Sequence, residues 1–105
     1  MGSLDYELEF LRKLVEIDTE SVSKKGYEKC SSLIVKESKQ SSLDVEIIDG
    51  EKGAKDGLSR PNIIVGIDTG SSVTLLLESH YDIVPPGPEW TYPPFQLTIE
   101  NGKAY

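Results

Sequence analysis

The sequence predicts an α/β fold, and three observations carry that expectation. Apolar residues recur at helical spacing through the first 40 positions. Short apolar runs rich in Val and Ile follow from position 45 onward. A further, Leu-rich run within Val73–Ser79 reads as a strand buried in a sheet covered on both faces, and it ends beside the only histidine of the chain, His80.

The elements follow in order. Leu4, Leu8, Leu11 and Val15, with Leu14, predict a helix from about Leu4 to Ile17. Ser3 is placed to cap it, and Asp5 and Glu7 stand at the positive end of its dipole. Asp18 to Ser21 reads as a loop. A second helix is predicted over Lys25–Lys39, with Tyr27, Cys30, Leu33 and Ile34 on one face, ended by the Ser-rich stretch Ser38–Ser42. Val45–Ile48 and Asn62–Ile67 predict strands on either side of a surface loop, Gly50–Arg60, that carries three glycines and five charges. Asp68–Ser72 reads as a turn. Pro85-Pro86-Gly87-Pro88 excludes regular structure, because proline supplies no ladder donor. Phe95–Ile99 alternates, and Asn101-Gly102 predicts a type I′ hairpin into Ala104-Tyr105.

The chemistry concentrates in Leu75-Leu76-Leu77-Glu78-Ser79-His80-Tyr81-Asp82-Ile83-Val84-Pro85. Ligands of open α/β sheets bind outside the carboxyl ends of strands, which is where His80 falls. Residues two apart on an extended backbone share a side, so Asp82 can stand beside one ring nitrogen of His80. The other nitrogen is then free for a metal. By composition alone, a lone histidine at a strand end is more often a satisfied polar residue, and Asp82 a turn residue or cap.

Ser79-His80-Tyr81-Asp82-Ile83-Val84-Pro85, followed by Trp90, Pro93-Pro94-Phe95 and Asn101-Gly102-Lys103-Ala104-Tyr105, resembles the M20 family of metallohydrolases. Acetylornithine deacetylase, succinyl-diaminopimelate desuccinylase, aminoacylase and glutamate carboxypeptidase belong to that family. Weaker similarity reaches back to Leu11–Ile17 and Val45–Asp49. The resemblance implies a three-layer α/β/α, zinc-exopeptidase-like catalytic domain around a mixed sheet. It makes His80 a ligand of one of two zinc ions (cobalt or manganese in some relatives) and Asp82 the catalytic partner that orients it. It implies hydrolysis of an amide in N-acyl amino acids or small peptides by a homodimeric parent enzyme.

The resemblance also implies further motifs, among them Gly-Arg-Gly with a bridging aspartate, a Glu-Glu pair and a distant histidine. None lies within these 105 residues. Residues 1–105 are therefore expected to be the N-terminal portion of the catalytic domain, without its remainder or a lid and dimerisation domain. Alone, they are expected to be inactive and to hold no metal tightly. A strand supplied from elsewhere in the domain would lie between the second and third strands, leaving a gap here. The alternatives are a dipeptidase or carboxypeptidase of the same family, and a stand-alone inactive or binding protein.

Composition narrows the rest. With 18 acidic and 11 basic residues the formal net charge is −7, and no basic cluster is present, which argues against nucleic-acid and anionic-membrane partners. A single cysteine, Cys30, excludes an internal disulfide and suits the cytoplasm; its helical position reads as core packing rather than a nucleophile. Met1-Gly2-Ser3-Leu4-Asp5 lacks the features of a signal peptide, and Tyr6 breaks the myristoylation pattern. Glu78, Asp18, Glu20, Asp49 and Asp68 read as solvated charges. Trp90, Tyr92 and Phe95 read as packing around the proline-rich loop rather than as a substrate platform.

Overall fold

The structure is a computed structural model that describes residues 3–105. The side chains of Ser3 and Lys52, and with them the expected Ser3 cap, lie outside the described residues. The chain divides into two compact units, Met1–Gly26 with Ile83–Tyr105, and Tyr27–Asp82.

In the first unit, α1 spans Ser3–Val15. Its apolar stripe half-buries Leu8, Phe10, Leu14 and Val15 and leaves Leu4 and Leu11 exposed. The expected end at Ile17 is reached by a last tightened turn, in which the Ile17 amide donates to Leu14 O at 3.2 Å. The following loop is built by side chains. Asp18 accepts the Glu20 amide at 3.1 Å and pairs with Lys25 at 3.1 Å. Glu20 accepts from the Val22 amide at 2.6 Å and the Ser23 hydroxyl at 2.9 Å. Desolvation works against the Glu20 charge, but these hydrogen bonds outweigh it and hold its carboxyl below the usual range. The loop then forms a parallel bridge: the Ile83 amide donates to Thr19 O at 3.1 Å and the Ser21 amide to Ile83 O at 2.8 Å.

The predicted hairpin is present in the same unit. β3, Ile99–Glu100, pairs antiparallel with β4, Lys103–Ala104. Asn101 and Gly102 both adopt positive φ, 51° and 73°, as a type I′ turn requires. Reciprocal bonds between Thr98 and Tyr105 extend the ladder by one pair. Tyr92 stacks on Tyr105 with centroids 4.7 Å apart and hydrogen-bonds to Glu100. Trp90 is mostly exposed and donates its indole N–H to Pro86 O at 2.8 Å, so it ties the proline-rich loop rather than filling a core.

In the second unit, α2 spans Tyr27–Gln40 and buries Tyr27 and Cys30, with Leu33 and Ile34 half-buried. It ends in a Schellman motif. Leu43 N donates to Ser38 O at 3.0 Å and Ser42 N to Lys39 O at 3.0 Å, with Ser42 in the left-handed region. β1, Asp44–Asp49, pairs antiparallel with β2, Pro61–Gly66, in the register Val45↔Val65 and Ile47↔Ile63, and α2 lies against both strands. The connection contains a short helix, α3, Glu51–Ala54.

Two expectations need correction. Val73–Ser79 is neither a strand nor buried: Leu75, Leu76 and Leu77 are more than 80% exposed, and the segment joins no ladder. An apolar run becomes a buried strand only if a flanking strand takes its backbone groups and a layer covers its side chains. In this unit β1 and β2 form a two-stranded sheet whose outer edges Val73–Ser79 does not join, and among the described residues no layer covers its side chains. The loop carboxylates are also more than solvated charges. Asp68 accepts the Gly70 amide at 2.8 Å. Asp49 accepts from the Arg60 amide at 2.8 Å, Ser59 Oγ at 2.5 Å and the Glu51 amide at 2.9 Å, closing the β1–β2 connection. These bonds, the Arg60 amide first, hold its carboxyl below the usual range. The helices and antiparallel ladders are compatible with an α/β class. Among the described residues, no helix is long and apolar enough to cross a membrane.

Candidate functional site

His80 and Asp82 stand at the end of the second unit, as alternation along an extended segment predicts. His80 Nδ1 lies 3.1 Å from Asp82 Oδ1 and 2.9 Å from the Asp82 carbonyl oxygen. Both neighbours are acceptors only. In the neutral ring, therefore, Nδ1 carries the proton, and Nε2 keeps its lone pair. The imidazole is 81% exposed and the Asp82 side chain 50% exposed, so Nε2 opens to solvent. The pair has the chemistry of a metal-binding imidazole backed by a carboxylate. No group of three or more His, Cys, Asp or Glu among the described residues is placed to hold a metal.

An exposed pair of this kind contributes little stability, about 0–1 kcal/mol, so its orientation depends on its surroundings. The residue between the two, Tyr81, has the opposite character. Its hydroxyl donates to Pro61 O, at the start of β2, at 2.5 Å. Its ring stands edge-on to that of Tyr27, at the start of α2, with centroids 5.7 Å apart and planes at 88°. Burial, followed by nearby negative groups, pushes its phenol pKa up to about 12, so the hydroxyl is protonated and able to donate. Sequence reasoning missed Tyr81, because its partners lie 20 and 54 residues away. The only local signal was an aromatic residue at the inward position of an alternating segment.

Other candidates separate from this site. Cys30 is 2% exposed, and burial pushes its thiol pKa up, which suits packing and not nucleophilic attack. Glu78 is exposed. An open hollow of about 450 Å³ between α2 and Ile47 is not lined by His80 or Asp82.

Comparison with known proteins adds the following. No protein-family model matches the chain, and no solved structure matches it significantly. A protein of Staphylococcus aureus (strain Mu50) named "probable succinyl-diaminopimelate desuccinylase" is 50% identical over 48 residues, which is 44% of this chain and 12% of that protein. An uncharacterized metallohydrolase of Methanococcus maripaludis is 32% identical over 111 aligned positions, 97% of this chain and 27% of that protein. Another, of Methanocaldococcus jannaschii, is 43% identical over 53 residues, 49% of this chain and 13% of that protein. The chain thus spans between about an eighth and a quarter of the length of these relatives. Over those partial stretches, and in the ordered series of residues from Ser79 to Tyr105, the chain is similar to metallohydrolases of the M20 type.

Proposed function

We propose that this chain is the N-terminal portion of the three-layer α/β/α catalytic domain of a cytoplasmic, homodimeric, metal-dependent amidohydrolase. His80 would be a ligand of one of two zinc ions, and Asp82 the residue that orients it. The observation that carries the reading is the His80–Asp82 geometry: Nδ1 is held by two acceptors, and Nε2 is left with its lone pair toward solvent. Imidazole nitrogen backed by a carboxylate suits zinc.

The chain's own part in the chemistry is to bind and orient. Asp82 fixes the His80 tautomer and so leaves the Nε2 lone pair for a metal. A bound metal would supply a water of lowered pKa and polarise the scissile carbonyl. The general base and remaining ligands would come from outside these residues.

The desuccinylase name of the staphylococcal relatives favours an N-acyl amino acid substrate over a dipeptide. The test is hydrolysis of N-succinyl and N-acetyl amino acids, against dipeptides, by the full-length protein that carries this stretch. Activity should vanish on chelation and return with zinc. Chelator-resistant activity, or a preference for dipeptides, would contradict the proposal.

A further inference from the structure

We propose that Tyr81 is a positioning residue that sets the direction of the His80–Asp82 pair, through its hydroxyl on Pro61 and its ring against Tyr27. Every residue from Ile64 to His80 is exposed, and Tyr81 is the first that is not. Residues 73–82 lie outside any ladder, so backbone pairing does not fix which way their side chains face. Alternation supplies the link. With Tyr81 turned toward Pro61 and Tyr27, the side chains on either side of it turn outward together. The hydroxyl bond to Pro61 O is 2.5 Å long, and the edge-on ring pair belongs to the geometry aromatic rings prefer. Pro61 and Tyr27 begin β2 and α2, the two elements that pack on each other, so the anchor is on the most regular part of the unit. Only the consequence for a metal rests on the proposed function; the anchoring itself does not.

The experiment reads the His80 tautomer in the 105-residue chain by ¹⁵N NMR of the imidazole, at one fixed pH and without metal. Wild type should show mainly the Nδ1–H form. Tyr81→Phe keeps the ring and removes the hydroxyl, and should move the tautomer ratio toward Nε2–H by about two- to tenfold, the range of one hydrogen bond. Asp82→Asn should also move it, and Tyr92→Phe, in the other unit, should not. A Tyr81→Phe ratio equal to wild type while Asp82→Asn shifts it would overturn the proposal. A second measurement needs no variant: in wild type, Tyr81 ring protons should show NOEs to the Tyr27 ring, and a Tyr81 ring averaging freely in solvent would overturn it too. Because no metal enters either measurement, failure here leaves the metal reading standing, and failure of the metal reading leaves the anchor standing.

Discussion

Gly26 passes so close to Asp18 that a Cβ built on it would stand 2.0 Å from the Asp18 carbonyl oxygen. The obstacle is backbone, which cannot swing aside as a side chain can. Gly26→Ala should therefore cost about 3 kcal/mol or more, at the upper end of overpacking effects. Urea unfolding checks this. A variant as stable as wild type would show that the loop carrying the Thr19–Ile83 bridge is not closed in this way.

The end of α2 offers a change in the opposite direction. Ser42 holds the left-handed position of the Schellman motif at φ 59°, which costs a residue with a Cβ about 1–2 kcal/mol. Part of the gain from glycine is returned by its freer unfolded chain. Ser42→Gly should stabilise by about 0.5–1 kcal/mol in the same assay, and Ser42→Val should destabilise.

Asp49 sets a pH dependence. Its carboxyl pKa is depressed in the folded chain by the Arg60 amide, the Ser59 hydroxyl and the Glu51 amide. A depressed carboxylate contributes stability that is fully present above its unfolded pKa, near the ordinary value of 3.8, and is lost as pH falls through the lower folded value. Wild type should lose stability across that window, and Asp49→Asn should lose less. Parallel pH profiles for the two would contradict the assignment.

Leu75, Leu76 and Leu77 face solvent in a segment without a ladder partner, and unpaired apolar backbone of this kind invites pairing between chains. The 105-residue chain should associate as concentration rises, and Leu76→Lys should reduce this, as read by light scattering. A monomer at all concentrations, with strongly protected amides from Leu75 to Glu78, would contradict the exposed run.

What the sequence disclosed and what it hid follow from the range of the forces involved. Both long helices, the β1–β2 strands and the Asn101-Gly102 turn rest on local periodicity or on one backbone angle, and they stand within a few residues of expectation. The His80–Asp82 pairing was legible for the same reason, because alternation is a two-residue rule. Val73–Ser79 was misread because its pattern describes a strand's side chains and says nothing of whether a neighbour exists to accept its backbone. Asp49 and Tyr81 were missed because their partners, Arg60 and Ser59 in one case and Pro61 and Tyr27 in the other, are near only after folding.

The 105-residue chain alone should show no amidase activity, since a catalytic zinc needs about three protein ligands and, among the described residues, no group of three or more His, Cys, Asp or Glu is placed to hold a metal. Hydrolysis of N-acetyl or N-succinyl amino acids by purified chain, absent from a His80→Ala preparation, would contradict this.

The most direct test of the metal-ligand reading is metal content, by elemental analysis, measured with kcat/KM for two variants of the full-length protein carrying this stretch. His80→Ala should leave one metal position largely empty and abolish activity. Asp82→Asn keeps the shape but loses the charge behind His80, and should cost about 10–100-fold in metal affinity or activity, equivalent to about 1.4–2.8 kcal/mol. Full metal content and full rate in His80→Ala, or an Asp82→Asn variant indistinguishable from wild type, would contradict the account.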